Sequence, residues 1–517
     1  MTRFKTLLAA CCCSLGAVAG DFDMNFSATL QANGGPHEFA PYYISSLRHG
    51  NLTSAAGGYL GLKAWRPIDL GKRFSYSFGF EAWGSGANSV DYQRFNSASG
   101  QWETHAAAPS RVILQQLWCE VKFRGVFLYA GLRDFKSALL NERLSSGDLI
   151  ESGNSRNIPQ ARVGFIDFQD IPLTNGWVQI QGEVAFAKST DNGWSKEHFN
   201  YYNNHINLGW WYNYKRCYFR TKPSQPFSIT IGLQAATQFN GDVEWFNRQG
   251  RETNSIHKPF RFRSLVDVLL MKNDVSYYEG NHLGAWDFQA RYRLRDRSEL
   301  KAYFSWLWED GSGIGKLNGM DGLWGLEWKA ANADARLSGA VLEAITFVNQ
   351  GGPIHYSPSD YDQTTLGGHK AQGADNYYNN HETNGYALYG MAIGSPMFIS
   401  PIYNTNGATT MFLNNRFWGI HGAVEGQMVS NLRYRAMASF RRFFGTPFIP
   451  AITPTYDVSA FFEAQWAVAR VPGLKLMAQL AVDYGTSAYG KSFGALVGAT
   501  YSFNVNFTKK QFNPCVL

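Results

Sequence analysis

Long runs in which every second residue is apolar constrain this chain more than any other feature. Phe74, Tyr76, Phe78, Phe80 and Ala82 alternate with Ser75, Ser77, Gly79, Glu81 and Trp83. Val178, Ile180, Gly182, Val184 and Phe186 alternate with Gln179, Gln181, Glu183 and Ala185. Phe227, Ile229, Ile231, Leu233 and Ala235 do the same with Ser228, Thr230, Gly232, Gln234 and Ala236. A period of two marks a strand whose two faces meet different surroundings. Hairpin 286–308 is the clearest case. Trp286, Phe288, Ala290, Tyr292 and Leu294 share one face, and Leu300, Ala302, Phe304, Trp306 and Trp308 continue it after a turn at Asp296-Arg297-Ser298. Asp287, Gln289, Arg291, Arg293 and Arg295, then Lys301, Tyr303 and Ser305, take the other.

A sandwich buries such a face against a second sheet, whereas a transmembrane barrel turns it to lipid and the polar face to the lumen. The runs approach the about 9–11 residues of a tilted membrane strand, longer than the about 5–6 of ordinary sheets. Trp306 and Trp308 sit at a strand end, where an interfacial girdle belongs, and the last run ends on Phe507. The expected fold is all-β, a large antiparallel transmembrane β-barrel with long extracellular loops. Aromatics reach 15% and charged residues only 17%. The chain has no apolar run long enough for a membrane-spanning helix, which excludes a helical bundle.

Residues 1–19 read as a signal peptide, with Arg3 and Lys5, an apolar Leu7–Ala19 stretch and Ala17-Val18-Ala19 as the cleavage site. Leu8-Ala9-Ala10-Cys11 resembles a lipoprotein box but comes too early for an apolar segment to precede it. Residues 20–507 then form the barrel and 508–517 a short tail. Losing Arg3 and Lys5 takes the charge from +7 to +5, too weak for nucleic acid. Cys119, Cys217 and Cys515 remain, which is no disulfide framework. Long polar loops are expected over roughly 85–110, 187–204, 239–281, 350–384 and 400–416. Phe262 to Lys272 carries helical spacing and is expected on the rim or inside the lumen.

Several segments carry a family resemblance. They are Leu144-Ser145-Ser146-Gly147, Ser152-Gly153-Asn154, the run Ile158 to Gly164, Asn281 to Asp287, Gly373 to Asn380, Ile393-Gly394-Ser395-Pro396, Tyr434-Arg435, Gly445-Thr446 and Asp483-Tyr484-Gly485. In this order they resemble the capsule-assembly Wzi family of outer-membrane proteins, in the form found in Bacteroidetes-like bacteria. The resemblance implies a barrel of about 18 strands. It also implies that the protein holds capsular or other surface polysaccharide at the cell outer membrane, without catalysis and without a cofactor. Outer-membrane lipid and a monomeric state go with that reading. The family's best-known member is expected to carry a periplasmic helical bundle, and the start of this chain has little helical periodicity to match it.

Asn-Tyr-Tyr-Asn-Asn-His occurs twice, at 200–205 and 376–381. Sugar recognition needs flat apolar faces beside amides that both donate and accept. The candidate polysaccharide contacts are therefore Asn200, Tyr201, Tyr202 and Asn203, with Asn376, Tyr377, Tyr378 and Asn379. Girdle aromatics and loop-packing asparagines are the competing explanation. Trp194, Trp210 and Trp211 lie near the first copy in sequence, Tyr386 and Tyr389 near the second. Arg291, Arg293 and Arg295 are expected to face the lumen, meeting an anionic ligand or pairing with Asp287, Glu299 or Glu309. Ser145 to Arg162 has little periodicity and is read as a turn or an inward-folded loop.

Gly485 to Ser492 matches the phosphate-loop pattern, but a strand follows it where a helix would be needed, and it is read as a hairpin loop. The eleven histidines are scattered without ligand spacing, and no nucleophile elbow occurs. Two other functions stay open on the sequence: a porin-like channel for small solutes, and an outer-membrane hydrolase with a site split across strands. The bulk of Trp83, Tyr303 and Leu307 on inner faces argues against a wide pore.

Overall fold

The computed structural model describes residues 22–507 apart from 135, 138, 272–279, 310–317, 351–354, 358–369 and 373–374. The expected signal peptide and tail lie outside the described residues. So do Lys272, Gly373 and Ala374.

Eighteen antiparallel strands close into one barrel. They are β1 (Phe22–Gly34), β2 (Gly57–Arg66), β3 (Phe74–Ala87), β4 (Val112–Phe123), β5 (Val126–Leu132) and β6 (Gln160–Phe165). There follow β7 (Val178–Lys188), β8 (Trp211–Thr221), β9 (Phe227–Phe239), β10 (Asn281–Arg293), β11 (Glu299–Trp308) and β12 (Gly322–Lys329). The last six are β13 (Gly339–Thr346), β14 (Phe417–Val429), β15 (Leu432–Gly445), β16 (Pro450–Ala467), β17 (Leu474–Gly485) and β18 (Ser492–Phe507). Each pairs with its sequence neighbour, and β1 pairs with β18 from Phe22 opposite Phe507 to Gly34 opposite Ala495. Closure leaves no sheet edge with unpaired backbone groups, the condition for crossing a bilayer in strands.

The alternation read from the sequence is the wall itself. Phe227, Ile229, Ile231, Phe288, Tyr292, Leu300, Val497, Tyr501 and Phe503 point outward and are exposed. Ser75, Ser77, Asp287, Tyr303 and Ser305 point inward and are buried. Small and large residues interlock along the strands. Tyr303 lies over Gly325, where an added Cβ would stand 2.1 Å from the ring.

Short turns gather at one end, such as 124–125, 294–298 and 430–431. The long connections gather at the other, which is therefore the extracellular end. The loop at Gly485 to Ser492 is the connection between β17 and β18, as expected.

The lumen is filled. Segments 39–55, 139–158 and 375–415 fold inward as a plug with an apolar core that includes Tyr42, Ile44, Leu149, Ile150, Tyr378, Phe398 and Phe412. No sequence signal pointed to 39–55; of Ser145 to Arg162, read as a turn or an inward-folded loop, 145–158 folds inward and Gln160 to Arg162 open wall strand β6. The plug is almost entirely non-helical: its helix α1 (Tyr42–Ser45) spans four residues. Backbone without regular structure has to find partners inside the barrel, and the wall supplies them. Ser146 N donates to Glu343 Oε2 at 2.7 Å, and Tyr42 N to Asp483 Oδ2 at 2.8 Å. Arg441 forks onto Asp457 and reaches the carbonyls of Pro396 and Met397. Gln234 donates to both Asp148 of the plug and Asp287 of the wall. Arg162 joins Glu151 of the plug to Glu183 of the wall.

Many of the segments that carried the family resemblance thus share one physical role. Within the described residues, Leu144–Gly147, Ser152–Asn154, Ile158–Gly164, Asn376–Asn380 and Ile393–Pro396 build the plug or its first wall strand. Asp483 and Arg435 are wall groups that face it.

Candidate outer-rim sugar-binding platform

The first Asn-Tyr-Tyr-Asn copy stands on the extracellular rim, where three elements meet. One is the hairpin of strands Val90–Asn96 and Gln101–Ala107. The second is segment 200–203, which follows helix α2 (Asn192–His198). The third is the sheet formed by Asn204–Leu208, Gly241–Phe246 and Glu252–Lys258. Val90 and Tyr92 alternate inward to pack with Ala408, which turns the other face of that hairpin to solvent.

Asn200 is buried and holds the elements together. Its Oδ1 accepts from Phe95 N at 3.1 Å, and its own backbone carbonyl accepts from Asn204 Nδ2 at 2.8 Å. Arg94 clamps the same junction by donating to the Phe199 and Glu197 carbonyls. Asn203 N donates to the Asn247 carbonyl in the tip of the third element. Asn203 is exposed and takes the left-handed φ of +44°, a conformation asparagine tolerates better than most residues.

This arrangement assembles an aromatic cluster. Tyr202 lies 4.9 Å from the Phe95 ring and 5.0 Å from Trp102, and those two rings are 5.7 Å apart. Tyr201 packs edge-on against Phe246 at 4.8 Å. Trp102 is 47% exposed, so a broad ring face stays open to solvent. Polar groups border it: Asn96 Nδ2 donates to Glu103, and Asn203 stands free at the surface. An exposed indole beside amides and a carboxylate can take the C–H face of a pyranose while bonding its hydroxyls.

Under this cluster lies His198. Its ring stacks on Trp194 at 4.2 Å and meets Tyr92 edge-on at 4.3 Å. Burial, helped by Arg94 and His105, pushes its pKa down to about 3, so it is neutral in the fold.

The second copy is elsewhere and does something else. Tyr377 and Tyr378 are fully buried in the plug. Tyr378 stacks on Phe398 at 4.0 Å, donates to the Leu149 carbonyl and accepts from Ser395 N. Tyr377 OH accepts from Asn318 Nδ2 at 2.8 Å. Asn379 exchanges bonds with the Phe412 backbone, and Asn376 Oδ1 accepts from Asn379 and Asn415. None of these side chains is presented to a ligand on the rim. Here the third position, Tyr378, takes the left-handed conformation, whereas in the first copy the fourth does. Two equal hexapeptides therefore fold differently because their surroundings differ.

The neighbouring aromatics also separate. Trp210 is buried at the barrel core, Trp211 lies on the outer wall and Tyr386 is in the plug. Tyr389 packs against Arg156 at 4.0 Å. The rings that do join Tyr202 come from Phe95 and Trp102, about a hundred residues away. The sequence clue to them was their place in an expected extracellular loop, where a girdle has no use for tryptophan.

The lumen arginines divide. Arg291 pairs with Glu299 at 3.1 Å and Arg293 with the same carboxylate at 3.2 Å. Arg295 does not face the lumen. β10 ends at Arg293, so Arg295 falls in the exposed turn before β11. Asp287 instead accepts from Tyr218 and Ser305, and Glu309 from Tyr378 N.

No family model matches the chain, and no curated protein matches it in sequence. Solved structures do match its fold. One is Wzi of Escherichia coli, a carbohydrate-binding β-barrel involved in group 1 capsule assembly. It is 14% identical, with a TM-score of 0.55, over 98% of this chain and 88% of its own. Acinetobacter baumannii OccAB2 is 8% identical with a TM-score of 0.45, over 93% of this chain and 98% of its own. The barrel, its outward apolar face and the Wzi match agree: the chain is a transmembrane β-barrel of the outer-membrane type.

Proposed function

We propose that this protein is a non-catalytic outer-membrane barrel that holds capsular or other surface polysaccharide at the cell surface. The observation that carries the reading is the Phe95–Trp102–Tyr202 cluster, with Trp102 exposed over two half-buried rings, mounted on a barrel whose lumen is plugged. The likeness to a carbohydrate-binding barrel supports it at the level of fold. Polysaccharide binds on the rim, with Tyr201, Tyr202 and Asn203 in contact and Asn200 holding the junction. Deleting the protein should move polysaccharide from the cell-bound to the released fraction. Equal fractions with and without it would refute the proposal.

A solute channel shares the barrel but requires a passage. The plug opposes that reading. A cavity of about 220 Å³ remains among Arg48, Arg143, Arg435, Glu463 and Gln479, on the short-turn side. The plug core of Tyr378, Phe398 and Phe412 lies within the barrel beyond it. Planar-bilayer recordings of the purified protein should stay silent, and steady open-channel conductance would favour the channel.

A further inference from the structure

The connection between β9 and β10 does a second thing: its described stretch 260–271 folds back over the outside of the barrel. Along β8 the even residues Tyr212, Tyr214 and Tyr218 point into the lumen, so Asn213, Lys215 and Phe219 point outward. The cross-strand row Asn213, Thr237 and His282 continues the same outer face over β8, β9 and β10. These are polar groups on a wall whose third row further along, Phe219, Ile231 and Phe288, is exposed and apolar. Bilayer tolerates such a polar row poorly, yet Asn213 and Thr237 are fully buried and His282 nearly so.

Helix α3 (Phe262–Leu269) lies over this wall. Lys215 Nζ donates to the Val268 carbonyl and to Asn213 Oδ1, tying helix to wall. Ser264 and Val268 face inward and are buried. Phe260, just before the helix, stacks on the outward Trp211 at 4.4 Å. An eight-residue helix does not persist alone in water, so its docking accounts for its existence. Its far side is apolar. Phe262 is 81% exposed, and Val266, Leu269 and Leu270 are exposed with it. Arg261 and Arg263 flank that side, Arg263 reaching Asp267 at 3.3 Å while staying largely in solvent.

We propose that α3 is an amphipathic foot set in the outer leaflet, with Phe262, Val266, Leu269 and Leu270 among acyl chains and Arg261 and Arg263 among anionic head groups. The stack of Phe260 on Trp211 and the Lys215 bond to Val268 set the helix against the lipid-facing wall at the first residues of β8, beside the extracellular rim. Such a face, apolar with a basic flank, is what interfacial helices present to lipid. The foot covers the polar row and extends the apolar belt outward, which fixes the height and tilt of the rim platform above the membrane.

The test places an environment-sensitive label at Phe262→Cys and, separately, Val266→Cys, with Cys119, Cys217 and Cys515 replaced by Ala. The full barrel is refolded into phosphatidylcholine vesicles containing phosphatidylglycerol, and folding is checked by heat-modifiable gel migration. Both labels should be quenched by lipids brominated on the acyl chain and protected from iodide in the water. Quenching by iodide alone, in a folded barrel, would overturn the proposal. Protection from both quenchers together with crosslinked dimers would assign the face to a second copy and overturn it equally. Omitting phosphatidylglycerol should weaken acyl-chain quenching, and Arg261→Gln with Arg263→Gln should abolish that lipid dependence. Equal quenching in both vesicles would remove the head-group half of the claim.

Discussion

Arg441 of β15 lays its guanidinium across Asp457 of β16, Nε to Oδ1 at 2.8 Å and Nη2 to Oδ2 at 3.1 Å, and neither residue is exposed to solvent. The same guanidinium donates to the Pro396 and Met397 carbonyls and lies 4.0 Å from the Tyr42 ring. One buried ion pair therefore joins two wall strands to two separate plug segments. Removing one partner of such a pair leaves an uncompensated charge and costs about 3–5 kcal/mol. Asp457→Asn should loosen the plug and raise conductance in planar bilayers from silence to intermittent opening. Silence with unchanged thermal stability would show that the pair does not hold the plug.

The two hexapeptide copies should separate cleanly under mutation. Tyr378→Ala empties a packed aromatic site in the plug and should destabilise it by about 3–5 kcal/mol, leaving polysaccharide affinity within about twofold when measured on the folded barrel. Tyr202→Ala should leave thermal stability nearly unchanged and weaken polysaccharide binding by about tenfold, the loss of roughly one stacking contact. Calorimetry and binding titrations on both variants read the two effects.

Gly394 allows the Tyr378 hydroxyl to reach the Leu149 carbonyl. A Cβ there would stand 2.0 Å from that hydroxyl and 2.3 Å from the carbonyl. Gly394→Ala should therefore displace Tyr378 and lower the melting temperature of the plug. Hydrogen exchange at the Ser395 amide, which donates to that hydroxyl, should rise in the variant.

His198 makes the rim sensitive to acid. Its pKa in the fold is about 3, depressed mainly by burial, against an ordinary value near 6.5. A depressed pKa means that its contribution to stability is complete above about pH 6.5 and is lost as pH falls toward 3. At pH 5 the loss is about 2 kcal/mol, from roughly 1.5 pH units at 1.36 kcal/mol each. Hairpin 90–107, packed over His198 through Tyr92, should become more sensitive to protease between pH 6.5 and 5. His198→Phe should flatten that dependence.

How much of this could be read from the sequence depends on how local each feature is. The wall was legible because a strand between lipid and lumen writes its two environments into alternate residues, as Phe288 and Asp287 do. The plug was not, because Tyr42 to Ser54 and Tyr377 to Phe412 owe their shape to wall groups distant in the chain: Asp483 lies 441 residues from Tyr42, and Arg441 lies 45 from Pro396. Arg295 was misplaced by one pleat, since alternation continues on paper past Arg293 where the strand has already ended. The candidate site was half legible. Tyr201, Tyr202 and Asn203 carried sugar-binding chemistry visibly, but Phe95 and Trp102 join them through tertiary contacts alone, the hydrogen bond from Phe95 N to Asn200, the Arg94 clamp and the ring contacts on Tyr202. The equal hexapeptide at 376–381 misled for the same reason, as its burial is decided by Phe398 and Leu149.

The most direct measurement is a binding titration of purified surface polysaccharide against the wild-type barrel and Trp102→Ala/Tyr202→Ala. Both proteins should be folded by the same gel criterion. The wild type should bind saturably and the variant at least tenfold more weakly, with the melting temperature preserved. Equal affinity in the two proteins would contradict binding at the rim.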